Sequence, residues 1–148
     1  MKLVNATNTH VYMGTLTGGV EIVAALRETA VSHQIQTATI DLLGGLTEVE
    51  LTAYDFVAQQ RLAPVVVKRP LEIISGHGTI SLLDGQPHVH LHLALAVREE
   101  TAAHGINVIG GHCARALAFA VEFTLTAYDG TPMRRALHEE TGLLLWDA

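Results

Sequence analysis

The chain has 148 residues, of which 49% are hydrophobic and only 16% charged, against about 25% charged in an average soluble domain, so a disordered chain is excluded and one packed core is expected. Fifteen Asp and Glu against nine Lys and Arg give a formal charge of −6, the wrong sign for gripping a polyanion by electrostatics. A lone cysteine, Cys113, excludes both a disulfide within the chain and a cysteine-rich zinc site, and fits a reducing compartment.

The start, Met1 to Thr7, lacks the apolar stretch of a signal peptide, and no apolar run approaches the roughly 18–20 residues of a membrane-spanning helix. A cytoplasmic protein with no membrane partner is therefore expected. Thr9 to Thr15 reads as a strand. From Gly19 to about Ser32, Val20, Val23, Ala24, Ala30 and Val31 fall near the 3.6-residue period, which predicts one long helix capped by Thr17 or Gly18. The remainder reads as strands: Gln36 to Leu43, Thr47 to Phe56, Pro64 to Lys68, Leu71 to Leu83, His88 to Val97, Ile106 to Ile109 and Ala114 to Ala127. Gly44-Gly45, Asp84-Gly85, Gly110-Gly111 and Asp129-Gly130 supply the breaks between them. Short links favour antiparallel pairing, so the expected fold class is α+β: one domain over residues 1–148, with a curved, mainly antiparallel β-sheet and one long helix packed on it. The low charge also points to an oligomer that hides apolar surface.

The informative stretch is Pro87-His88-Val89-His90-Leu91-His92-Leu93-Ala94-Leu95-Ala96-Val97. Strand alternation places Val89, Leu91, Leu93, Leu95 and Val97 on a core face and His88, His90, His92, Ala94 and Ala96 on the other. Successive imidazoles on one face stand about 6.6–7 Å apart, close enough to converge on one ion. Gly110-Gly111-His112 offers a third ligand from another strand, because glycines let the backbone approach closely just before the ring. His90, His92 and His112 are the expected metal ligands, with His88 a spare at the strand's start. Three neutral nitrogens suit Zn2+, or another borderline divalent metal, with a fourth position open.

Glu72-Ile73-Ile74-Ser75-Gly76-His77-Gly78-Thr79-Ile80-Ser81, then His90-Leu91-His92, then Gly110-Gly111-His112, resembles the plants-and-prokaryotes conserved domain, and the likeness runs from about Thr9 to the Glu139-Glu140-Thr141-Gly142-Leu143 segment. The resemblance implies an α+β homotrimer, with zinc on His90, His92 and His112 as in some prokaryotic members. It departs from the family after Gly-Gly-His, where Cys113 replaces a common leucine; Cys113 is expected to be a small buried residue. The family carries a DNA-binding association, but the Arg-Gly-Arg-Pro hook of the plant members is missing, and Lys68-Arg69 and Arg134-Arg135 read as solvated charges. The histidine motifs also resemble the zinc site of acetolactate decarboxylase, which implies a small keto or hydroxy acid as ligand of a zinc-dependent lyase. Glu72 and His77 are then the acid or base candidates, although alternation puts them on opposite faces. The readings are thus a metal-binding and small-ligand-binding homotrimer, a DNA-binding regulator by family association, or a zinc lyase. Trp146 is expected to anchor the last strand against the core or a neighbouring subunit, and Glu122 to reach solvent or find a cationic or hydrogen-bonding partner.

Overall fold

A computed structural model describes residues 3–147. Strand β1 (Ala6–Thr17) leads through a glycine turn, in which Gly18 and Gly19 take φ of 66° and 81°, to helix α1 (Ile22–Ser32). Then follow β2 (Ala38–Thr52), β3 (Tyr54–Asp55), β4 (Gln60–Arg61), β5 (Val65–Val67), β6 (Leu71–Leu83), β7 (Gln86–Arg98), β8 (Ile106–Gly130), β9 (Arg134–His138) and β10 (Leu143–Asp147). The class is α+β and nearly every pairing is antiparallel; the parallel contact is Leu82 with Arg134 between β6 and β9.

The sheet does more than curve. β2 hydrogen-bonds to β8 along one edge and to β6 along the other, β6 pairs with β7, and β7 pairs with β8. The strands therefore close into a ring, which removes the unpaired edges an open sheet would leave. β1 lies along the second half of β8, and the β9–β10 hairpin hangs beside β6.

Closure depends on glycines that the sequence reading takes as turns. Gly44-Gly45 and Gly110-Gly111 lie inside the continuous strands β2 and β8. At Gly44 the register shifts against β6 and φ is 122°, so the glycine marks a bulge that bends the strand. A β-carbon there would meet the Ala120 carbonyl oxygen at 2.2 Å. Asp84-Gly85 is a true two-residue hairpin turn, with positive φ at both positions (51° and 76°), and joins β6 to β7. Asp129-Gly130 forms the end of β8.

The helix is shorter than expected, at 11 residues, and its buried stripe differs. Ile22, Leu26 and Ala30, spaced four apart, face the core, while Val20 and Val31 are exposed at 42% and 55%. Its cap is Glu21 rather than Thr17 or Gly18. The Glu21 carboxylate accepts from the amides of Val23 and Ala24 at 3.0 and 2.7 Å, and from the Ala116 amide of β8 at 3.2 Å. A side chain that satisfies the helix's first amides and a barrel amide together fixes both the start and the rotation of α1.

The core fills the barrel and the space under the helix. Val89, Leu91, Leu93, Leu95 and Val97 are all buried, as alternation requires, against Ile22, Leu26, Ile40, Ile80 and Leu125. Trp146 lies on edge strand β10 and is 48% exposed instead of entering the core, while Glu122 faces solvent.

Candidate metal centre

The barrel wall places the histidines on its outer surface. On β7, His92 stands opposite His112 of β8 on one side and His77 of β6 on the other, while His90 faces Thr79 and His88 faces Ser81. Directly paired residues share a face of the sheet, so His92 and His112 project the same way. The rings of His90, His92 and His112 gather: their centroids lie 5.0 Å (His90–His92), 5.0 Å (His90–His112) and 5.4 Å (His92–His112) apart. Each offers one nitrogen, and these nitrogens all lie within 4.8 Å of one another.

Glycines permit this approach. A β-carbon at Gly110 would meet the Leu93 carbonyl oxygen at 2.7 Å, and one at Gly111 the Thr52 carbonyl oxygen at 2.8 Å. Any larger residue there would push β8 away from β7 or β2 and carry His112 off with it.

Arg135 from β9 reinforces the cluster. Its guanidinium donates to the Ser81 hydroxyl (2.8 Å), the Leu144 carbonyl (2.9 Å) and the Thr79 hydroxyl (3.2 Å), and lies 3.3 Å from Nδ1 of His90. Nε2 of His90 lies 3.2 Å from Nε2 of His92. Arg135 is thus a half-buried strut, not the solvated charge expected from sequence.

The electrostatics keep these rings uncharged. Burial, then the Arg135 charge, lowers the His90 pKa from 6.5 to about 4. Burial and Arg61 bring His112 to about 4, and the same causes lower His92. Burial, then Arg135, Arg27 and Arg61, lowers His88. Neutral imidazoles retain the lone pairs a metal requires. Nδ1 of His112 is buried without a hydrogen-bond partner, an uncompensated polar atom that a ligand or ion near the ring would relieve. The donor set therefore fits a borderline divalent cation.

Beside the cluster opens a cleft of about 660 Å3, whose lining includes His88, His112, Arg27 of α1, Arg61 of β4 and Asp84 of the β6–β7 turn. Cys113 also borders it, but burial pushes the thiol pKa up to about 12, so it is neither a reactive thiolate nor a ready ligand. The remaining candidates fall elsewhere. A register shift between Ile73 and Ser75 adds one residue to β6, so Glu72 and His77 share the outer face, contrary to simple alternation. Glu72 pairs with Ala96, away from the imidazoles, and His77 bonds Asp41 at 2.6 Å through Nδ1. Neither belongs to the three-ring group. Arg135, Arg61 and Arg27 were not legible as site residues, because none lies near the histidine motifs in sequence. The nearest signal was the polar pair Thr79 and Ser81 on β6, opposite His90 and His88.

Among the described residues no helix is long and apolar enough to cross a membrane. Residues 4–129 match the Plants and Prokaryotes Conserved (PCC) domain. The fold is similar to that of a metal-containing protein from Archaeoglobus fulgidus (28% identity, all of both chains, TM-score 0.91). It is also similar to a plant- and prokaryote-conserved protein from Pyrococcus horikoshii (26% identity, 100% of this chain and 98% of that one, TM-score 0.86). A candidate DNA-binding protein from Bacteroides thetaiotaomicron shares the fold at 20% identity over 93% of this chain and 91% of that one (TM-score 0.79). No curated protein matches the sequence.

Proposed function

The chain belongs to the plants-and-prokaryotes conserved domain family, and from that premise we propose that it is a homotrimeric protein that binds a divalent metal, zinc by its donor set, on His90, His92 and His112, and takes a small oxygenated ligand beside it. The observation that carries this reading is the gathering of three neutral imidazoles from two strands, with ligand nitrogens within 4.8 Å of one another. The metal-containing A. fulgidus protein, whose fold covers the whole chain, supports the metal part. A bound zinc with an open position would polarise a carbonyl oxygen or acidify water. The chain's own residues hold the rings: Gly110 and Gly111 let β8 close in, and Arg135, anchored on Ser81 and Thr79, packs beside His90.

Trimer formation is supported by apolar side chains left on the outer wall, among them Val11, Met13 and Phe119 at 60%, 80% and 69% exposure. Two other readings have less support. For a DNA-binding regulator, the net charge is −6, and Lys68 and Arg69 already pair with Glu48 and Glu99. For a lyase, Glu72 and His77 lie outside the three-ring group that would hold the metal.

The test is elemental analysis of tag-free protein beside a His90→Ala/His92→Ala double variant, with sedimentation equilibrium for mass. Roughly one zinc per chain in the parent, none in the variant and a threefold chain mass in solution are expected. A metal-free parent would overturn the metal reading, and a monomer the trimer.

A further inference from the structure

We propose that the cleft beside the histidines is a binding site for a small carboxylate with a short apolar body, its carboxylate held between Arg27 and Arg61. This deepens the reading above in taking the same outer wall as the ligand site, and it specifies the ligand's class.

The cleft joins charge and apolar surface. Arg27 comes from the helix and Arg61 from the β3–β4 ribbon, and both line the cavity. Among the described residues neither has a carboxylate partner; Arg61 donates only to the Thr52 hydroxyl, at 3.2 Å. By contrast, Lys68 and Arg115 both reach Glu48, and Arg69 reaches Glu99. Two positive charges lining one cavity repel each other less when an anion lies between them, and the planar fork of a guanidinium matches a carboxylate. Asp84 is the single acidic side chain in the lining and limits the excess of positive charge. The lining also includes Val23, Leu83, Pro87 and Val89, apolar surface that a bare inorganic anion would leave uncovered. About 660 Å3 also lies within the usual range for small-molecule sites. The rim residue His112 belongs to the metal cluster too, so a ligand with its carboxylate on the arginines directs its other end toward the metal centre.

The experiment is calorimetric titration of acetate, butyrate, hexanoate and inorganic phosphate into the full-length protein, zinc-loaded and chelator-treated, with zinc content measured on the same samples. Affinity should rise from acetate to hexanoate, by up to about fourfold per fully buried methylene. Arg27→Gln and Arg61→Gln should each weaken hexanoate about tenfold, Arg61→Lys less, and Asp84→Asn should tighten it. Circular dichroism confirms that these exposed-site variants fold. Unchanged affinity in both arginine variants, no dependence on chain length, phosphate binding as tightly as hexanoate, or no saturable binding at millimolar hexanoate would each overturn the proposal. No saturable hexanoate binding to a parent protein that holds zinc sinks this inference alone. Arginine-dependent hexanoate binding in a protein that never holds zinc sinks the metal reading alone.

Discussion

Two histidine groups occupy the same outer wall and behave differently. His77 and His92 are direct cross-strand partners, one pairing apart. Yet the His77 side chain is 72% exposed and satisfied by Asp41 at 2.6 Å, whereas the rings of His90, His92 and His112 cluster, with Arg135 beside His90 and one nitrogen of His112 unpartnered. The difference lies in their surroundings. Burial beside guanidinium groups keeps an imidazole neutral. His77 is a surface residue bonded to a carboxylate, whereas the three clustered rings are the ones that could hold a metal ion.

The largest contrast should appear in zinc affinity. His112→Ala should weaken zinc by more than the roughly 10–100-fold typical of outer-shell changes, while His77→Ala leaves zinc stoichiometry unchanged. Competition with a chromogenic chelator reads both, and equal losses would erase the distinction. Next, Arg135→Met removes a donor from the fully buried Ser81 hydroxyl and from His90. It should cost about 1–3 kcal/mol in urea unfolding of the metal-free protein. A cost near zero would mean that the strut is ornamental.

A smaller, graded effect follows from pH. For metal-free protein, the folded pKa values of His90 and His112 lie at about 4 against an ordinary 6.5, so between those values the unfolded chain binds more protons than the folded one. Stability should therefore be fully present above about pH 6.5 and decline as pH falls toward 4. A His90→Gln/His112→Gln variant should show a flatter melting-temperature profile across that window, and a profile as steep as the parent's would place the titration elsewhere. The smallest effect belongs to the surface pair: Asp41→Asn should change stability by about 0–1 kcal/mol, since exposed ion pairs contribute little. A larger loss would show that His77 has a structural role its exposure does not suggest.

Much of the site was legible along one strand. Alternation alone separated Leu91, Leu93 and Leu95 from His90 and His92, because a period of two leaves no freedom once one face is buried. His112 could be connected to them because two preceding glycines indicate close backbone approach. Alternation failed on β6, where the register shift before Ser75 returned Glu72 and His77 to one face. The helix stripe was misassigned because Val20 lies before the true cap, Glu21, whose capping role appears only with the Ala116 amide in place.

Local periodicity and residue chemistry are enough for the class of the fold, the core face of β7 and the histidines that share its outer side. Tertiary structure alone decided that the sheet closes into a ring, that Gly44-Gly45 and Gly110-Gly111 lie within strands instead of ending them, that Arg135 contacts His90, and that Arg27 and Arg61 line the cleft bordered by His112. Those arginines come from a helix, a ribbon and an edge hairpin far apart in the chain. Only long-range pairing between strands brings such residues together, and no local pattern encodes it.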